Sequence, residues 1–329
     1  SDAVAAHARL TPSRLAVRDS RRSLTWAQWH ARACRLANGL LSRGLRKGDR
    51  VALLAYNCAE WMELYAGLAA AGLVAVPINF RLTPAEIAYI VGHAQARAVV
   101  AQAVRAGLGL PDDAYVAFGP TVPAGWTGYE ALIGAASDAV PSVAVGPADP
   151  SALMYTSGTT GRPKGAIRSH GGSTLIAMAT ALEMRFARDD TALLVMPMCH
   201  ANSLYFSHTF AHLGAPCVID DRRSFDPEAL LATLAREHIT FTSLVPTHFI
   251  MMLGLPAAVK AAHDVARVDK LLVSSAPARR DTKLAILEHF RNGRLHELYG
   301  STEAGWVTLL RPEEQLERLG SVGREWAGS

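Results

Sequence analysis

A chain of 329 residues, half of them hydrophobic, is long enough to bury a large core and to form more than one structural unit. Its formal net charge is only +4, and the basic pairs Arg21-Arg22, Arg222-Arg223 and Arg279-Arg280 are dispersed, which argues against a nucleic-acid surface. Cys34, Cys58, Cys199 and Cys217 lack metal-ligand spacing and read as reduced, buried thiols, an expectation that points to the cytoplasm. In chain order, Thr25 and Gln28 form a capping-box pattern, after which Trp26, Trp29, Ala33, Leu36, Ala37 and Leu40 recur at helical spacing until Gly44. Residues 50–55 read as a strand entered from the turn Lys47-Gly48-Asp49. Asn57 followed by Glu60 predicts a helix capped by the asparagine, stopped at Gly72, with a strand over 74–76 beyond it. The uncharged run 64–80 falls short of the roughly 20 residues of a membrane span, so no transmembrane segment is expected.

Thr83-Pro84-Ala85-Glu86 combines a cap, a first-turn proline and an acidic third residue, a strong helix start. A short buried strand follows at 98–101. The section 107–150 is loose and rich in Gly, Pro and Ala, and it ends in Gly146-Pro147-Ala148-Asp149-Pro150. This predicts a boundary between two α/β lobes, 1–146 and 147–329. Beyond it, strands are expected at 193–196, 217–219, 240–244, 271–274 and 295–299, with helices after Ser203, Asp226-Pro227 and Thr247 and across 278–290. The alternation predicts an α/β fold with largely parallel sheets.

Two segments carry chemistry. The first is Tyr155-Thr156-Ser157-Gly158-Thr159-Thr160-Gly161-Arg162-Pro163-Lys164-Gly165. Glycines permit the backbone conformations that turn successive N–H groups toward an anion, hydroxyls add donors, and a lysine supplies a mobile charge suited to phosphate. It is not a Walker A loop, because Arg162 and Pro163 separate Gly161 from Lys164. The second is Glu297-Leu298-Tyr299-Gly300-Ser301-Thr302-Glu303, at the end of an expected strand, where open α/β sheets place ligands. Tyr299 offers a ring face, Thr302 a hydroxyl, and Glu303 hard oxygens suited to Mg²⁺.

Together these segments resemble the adenylate-forming superfamily, and the wording Pro77-Ile78-Asn79-Phe80-Arg81 and Met196-Pro197-Met198-Cys199-His200 is similar to its fatty and aryl acyl-CoA synthetases. The resemblance implies the family's large N-terminal domain, two β-sheets with packed helices in an αβαβα layering. It also implies that the β-barrel part and the C-terminal lid domain lie largely beyond Ser329, so that this portion alone adenylates poorly. It implies ATP and Mg²⁺ as cofactors, CoA as a substrate, and a small carboxylic acid as the partner, with oligomerisation left open. Thr156, Ser157, Gly158, Thr159, Thr160, Gly161 and Lys164 would hold the β- and γ-phosphates. Ser275, Ala276 and Pro277 would line the adenine side with Glu297, Leu298, Tyr299, Gly300 and Ser301, and Glu297 would accept from the adenine amine. Thr302 would contact the α-phosphate, Glu303 would ligate the metal, and Lys164, Thr302, Glu303 and His200 would form the catalytic set.

His200 would lie beside the acyl carboxylate, and no aspartate stands near it to hold an amino group, which argues against an amino-acid substrate. His208 and His212 share a helix face, but a zinc site would want a third ligand, so histidines flanking a helix is the stronger reading. Met251, Met252 and Trp306 are candidates for the floor of the acyl pocket, against the alternative of plain core. Other outcomes are a ligase that delivers the acyl group to a carrier-protein thiol, or a nucleotide-binding module without catalysis.

Overall fold

The computed structural model describes residues 2–102, 108–156 and 162–326, which form two sheets of nine and seven strands. The nine-stranded sheet runs, in spatial order, β16 (Arg324–Glu325), β15 (Gly305–Leu310), β14 (Arg294–Ser301), β13 (Lys270–Ser274), β12 (Phe241–Leu244), β10 (Ala192–Leu194), β11 (Cys217–Ile219), β1 (Leu15–Arg18) and β2 (Ser23–Thr25). The seven-stranded sheet runs β7 (Thr127–Gly128), β6 (Tyr115–Ala117), β5 (Ala96–Ala101), β3 (Arg50–Leu54), β4 (Val74–Ile78), β8 (Pro150–Thr156) and β9 (Lys164–Ser169). The helices are α1 (Asp2–Leu10), α2 (Trp26–Ser42), α3 (Glu60–Ala70), α4 (Pro84–His93), α5 (Tyr129–Ala135) and α6 (His170–Glu183), followed by α7 (Ala201–Leu213), α8 (Pro227–Arg236), α9 (Pro246–Leu253), α10 (Ala257–Ala261) and α11 (Arg280–His289).

Most neighbouring strands are parallel, and their side chains alternate between two buried faces. Val51 and Leu53 of β3 face the central core with α2, α3 and α7, while Ala52 and Leu54 face a second core against α4. Leu194 of β10 and Leu272 of β13 likewise meet the central core, and Leu193, Leu271 and Val273 pack on the opposite side against α8, α9 and α11. The result is the expected αβαβα layering.

Several starts and stops follow the sequence. Thr25 and Thr83 each close a capping box, with Gln28 and Glu86, and Asp226 caps α8 through the N–H of Ala229. Gly72 takes the left-handed φ of 65° that ends α3. Asn57 departs from expectation. The N-cap of α3 is Ala59, with no side-chain cap bond. The Asn57 amide instead donates to the carbonyls of Val195 and Met196 and accepts from the N–H of Met198, tying the end of β3 to the strand–loop leading into α7.

Sheet membership also crosses the expected boundary at residue 146. β1 and β2 join the nine-stranded sheet beside β11, and β8 and β9 join the seven-stranded sheet beside β4. Each half of the chain therefore completes the other's sheet.

Candidate active site

The signature segment begins in one strand and ends in its antiparallel neighbour. β8 and β9 pair antiparallel with Thr156 opposite Lys164. Ser157, Gly158, Thr159, Thr160 and Gly161 lie outside the described residues, so the flanks define the site. Gly165 packs closely on Leu153: a Cβ would meet its Cδ1 at 2.7 Å and the leucine would have to shift. Lys164 is exposed at the start of β9.

β8 runs parallel to β4, so Thr156 and Asn79 emerge at the same edge of their sheet. In the other sheet, Ser274 of β13 is in parallel register with Leu298 of β14, which sets residues 275–277 beside Tyr299. The two edges meet. The Thr156 hydroxyl donates to Oε1 of Glu303 at 3.1 Å, and Arg168 of β9 donates to the Glu303 carbonyl at 2.5 Å. The Arg168 guanidinium also lies over the Tyr205 ring, 5.5 Å from its centroid. A second contact joins the sheets where Asn79 Nδ2 stands 3.4 Å from His200 Nε2, at the N-terminus of α7.

The site combines an ionised carboxylate, the cationic Arg168 and a neutral imidazole. The Glu303 carboxyl is held below the usual carboxylate range by its own backbone N–H and by the Thr156 hydroxyl, so it is anionic at neutral pH. His200 is exposed at the surface, and the protein packed around it and the Arg81 charge lower its pKa below the ordinary imidazole value. A neutral imidazole at a helix N-terminus leaves that end's backbone donors without a competing cation. Tyr299 is 52% exposed and presents a ring face beside Ser275, whose φ of 69° is left-handed for a non-glycine residue.

The model of the AMP-binding enzyme family matches residues 4–329. The chain belongs to the AMP-binding enzyme family. It is 35% identical over 325 residues to a feruloyl-CoA synthase of Amycolatopsis sp, which covers 96% of this chain and 62% of that protein. It is 32% identical over 326 residues to an indoleacetate–CoA ligase of Aromatoleum aromaticum, with 97% and 63% covered. The inhibitor-bound N-terminal domain of FACL13 from Mycobacterium tuberculosis has the same fold, with a TM-score of 0.86 at 28% identity over 98% of this chain and 81% of that one. The chain thus spans less than two thirds of the length of these curated relatives.

Other residues of this AMP-binding enzyme sit differently from their sequence reading. The Glu297 carboxylate, expected to face an adenine amine, is buried and ion-paired to Lys283 Nζ at 2.5 Å. Met252 is fully buried in the core under α9, and Met251 is exposed on the helix surface, so the two do not line one pocket floor. Trp306 is buried against Tyr205 and Phe206, with ring centroids 5.1 and 5.6 Å away, and its Nε1 donates to Thr180 Oγ1. It pairs with Gly300 across the β14–β15 hairpin. Leu298 is a core residue, and the Ser301 hydroxyl accepts from the N–H of Ala304 to shape the turn.

Sequence reasoning missed the polar cluster at the ends of β12 and β13. Asn202, in the first turn of α7, donates to Ser243 Oγ at 2.9 Å and Ser274 Oγ at 3.0 Å. It also missed Arg168, which no spacing singles out from other surface arginines. His212 Nδ1 contacts the His208 carbonyl at 2.8 Å, and among the described residues no group of three or more His, Cys, Asp or Glu side chains is arranged to hold a metal. A cavity of about 400 Å³ touching Tyr65, His170 and His208 lies at the Ser151 end of β8, away from Thr156 and the convergent edges. No helix among the described residues is long and apolar enough to cross a membrane.

Proposed function

We propose that the chain is the nucleotide- and acid-binding portion of an ATP-dependent carboxylate–CoA ligase acting on a fatty or aryl acid. The observation that carries this reading is the meeting of the two sheet edges, with the Thr156 hydroxyl on Glu303 and Arg168 on the Glu303 carbonyl. That contact brings a lysine-bearing strand and a carboxylate-bearing strand end to one place, the pairing that activation of a carboxylate by a nucleoside triphosphate needs. The curated relatives include a feruloyl-CoA synthase and an indoleacetate–CoA ligase, which supports a thioester as the final product.

In this reading a carboxylate oxygen bonds to the α-phosphorus of ATP and the bond to pyrophosphate breaks. Both reactants are anionic, so the first task of the site is to reduce their repulsion. Lys164, at the mouth of the hairpin, supplies a positive charge to the departing phosphates. Thr302 offers a hydroxyl to the α-phosphate, and Tyr299 with residues 275–277 flanks the base. His200, neutral at pH 7, contacts the acid without competing for its charge. The exposed, ionised Glu303 fits a Mg²⁺ ion, which commonly takes one or two carboxylates plus substrate phosphates. Such an ion, when bound, supplies charge neutralisation on the phosphate oxygens. Arg168 and Thr156 hold the Glu303 turn in place. A CoA thiol then displaces AMP from the mixed anhydride.

The test is carboxylate-dependent ATP–pyrophosphate exchange across a panel of aryl and fatty acids. Exchange is expected only with acid present, and Lys164→Ala and Glu303→Gln are each expected to lower it roughly a hundredfold, the scale of losing one transition-state charge contact. Exchange that survives both substitutions would remove this assignment.

A further inference from the structure

Lys283 and Glu297 form an ion pair that burial makes costly. Lys283 Nζ lies 2.5 Å from Glu297 Oε2, with side-chain exposures of 1% and 7%. Apolar side chains of similar volume would fill such a place as stably or more so, and ion pairs of this kind are best understood through the arrangement they enforce. Here one carboxylate joins three elements. Its Oε2 takes Lys283 from the first turn of α11, its Oε1 accepts from the backbone N–H of Ala278 at 3.4 Å, and its backbone is in β14, two residues before Tyr299. Ala278 closes the exposed turn that follows β13. That turn contains Ser275 with φ of 69°, a conformation that persists only where its surroundings hold it.

We propose that the Lys283–Glu297 pair positions the 275–278 turn beside Tyr299, and that Lys283 is thereby a positioning residue for the base of the nucleotide. The inference rests on the nucleotide reading given above. Lys283 does not touch the ligand; it fixes the carboxylate that fixes Ala278. Without the ammonium, the Glu297 carboxylate loses its buried partner and turns toward solvent, which loosens its hold on the turn.

The double variant Lys283→Met with Glu297→Leu removes the charges together and keeps the packing volume. ATP and pyrophosphate binding to the 329-residue chain are measured by titration calorimetry, with thermal unfolding recorded on the same samples. The expected result is a retained unfolding midpoint, an ATP Kd raised roughly tenfold, and an unchanged pyrophosphate Kd, because pyrophosphate probes the hairpin and not the base. A role in stability alone would leave ATP binding at the parental value, or weaken both ligands equally, and either outcome overturns the assignment. If the double variant does not fold, Glu297→Gln keeps the Ala278 contact and weakens the ion pair. A rise of about threefold in the ATP Kd with pyrophosphate unchanged supports the assignment, and no rise overturns it. Absence of ATP binding by the parent chain would instead remove the nucleotide reading and this inference with it.

Discussion

Gly300 shows how tightly the turn after β14 is specified. It pairs with Trp306 across the β14–β15 hairpin, and a Cβ there would collide with the Gly305 carbonyl and stand 3.1 Å from Trp306 Cε3. Only glycine allows β15 to lie this close, which keeps Tyr299 and Glu303 at the edge facing Thr156. Gly300→Ala is therefore expected to push the hairpin apart and cost about 2 kcal/mol. The urea midpoint measures that loss, and weakened nucleotide binding should accompany it. An unchanged midpoint would show that the turn yields easily. The same scale shows the limit of reading residues one at a time. Glu303 and Thr156 stand out in sequence because each sits in a segment rich in ligand-type residues, and the fold brings the two into contact. Glu297 was not, because its partner Lys283 comes from a helix, and no spacing along the chain announces a pairing made by packing.

At the level of elements, many strands buried on both faces and several capped helices were legible, while the capped helix α6 and the buried strand β6 were not. β3, β4, β11 and β13 stand within a few residues of their expected places, and the capping boxes at Thr25 and Thr83 are formed. The return strand β15 and the strand β9 were not anticipated; β9 reads KGAIRS and shows little strand alternation. Its stability comes from pairing with β8 instead of from its own residue types. Two elements also carry histidines, His296 buried and His208 half-buried, that make stability depend on pH. Burial pushes His296 of β14 down to about 4 and His208 of α7 down to about 3. Each group is neutral in the fold but takes a proton in the unfolded chain below about pH 6.5. Stability is thus full above that value and falls as pH drops through the window between 6.5 and 4. Between pH 6 and 5 the slope approaches about 1.4 kcal/mol per pH unit for each histidine. Urea midpoints from pH 7 to 5 should show this decline, and His296→Gln should make it shallower by about the share of one histidine. A flat profile in the parent would contradict the burial of these rings.

For the whole molecule, the exchange of strands between the two halves is the feature least visible in sequence. A loose, Gly- and Pro-rich stretch before residue 147 looks like a boundary, yet β1 and β2 precede it and belong to the sheet that follows. Pairing between distant segments leaves no local signal, so only topology reveals it. Residues 1–146 and 147–329 expressed separately should each fail to fold, and mixing them should restore a dispersed amide spectrum; two independently folded halves would contradict the exchange. The exchange also brings the strand ends of both sheets together at Thr156, His200, Tyr299 and Glu303. Amide chemical-shift mapping of AMP on the 329-residue chain tests that convergence most directly. The account predicts saturable shifts at 275–278 and 299–303, with weaker ones near Thr156 and His200. Shifts confined to the cavity around Tyr65 and His208, or none at saturating AMP, would contradict it.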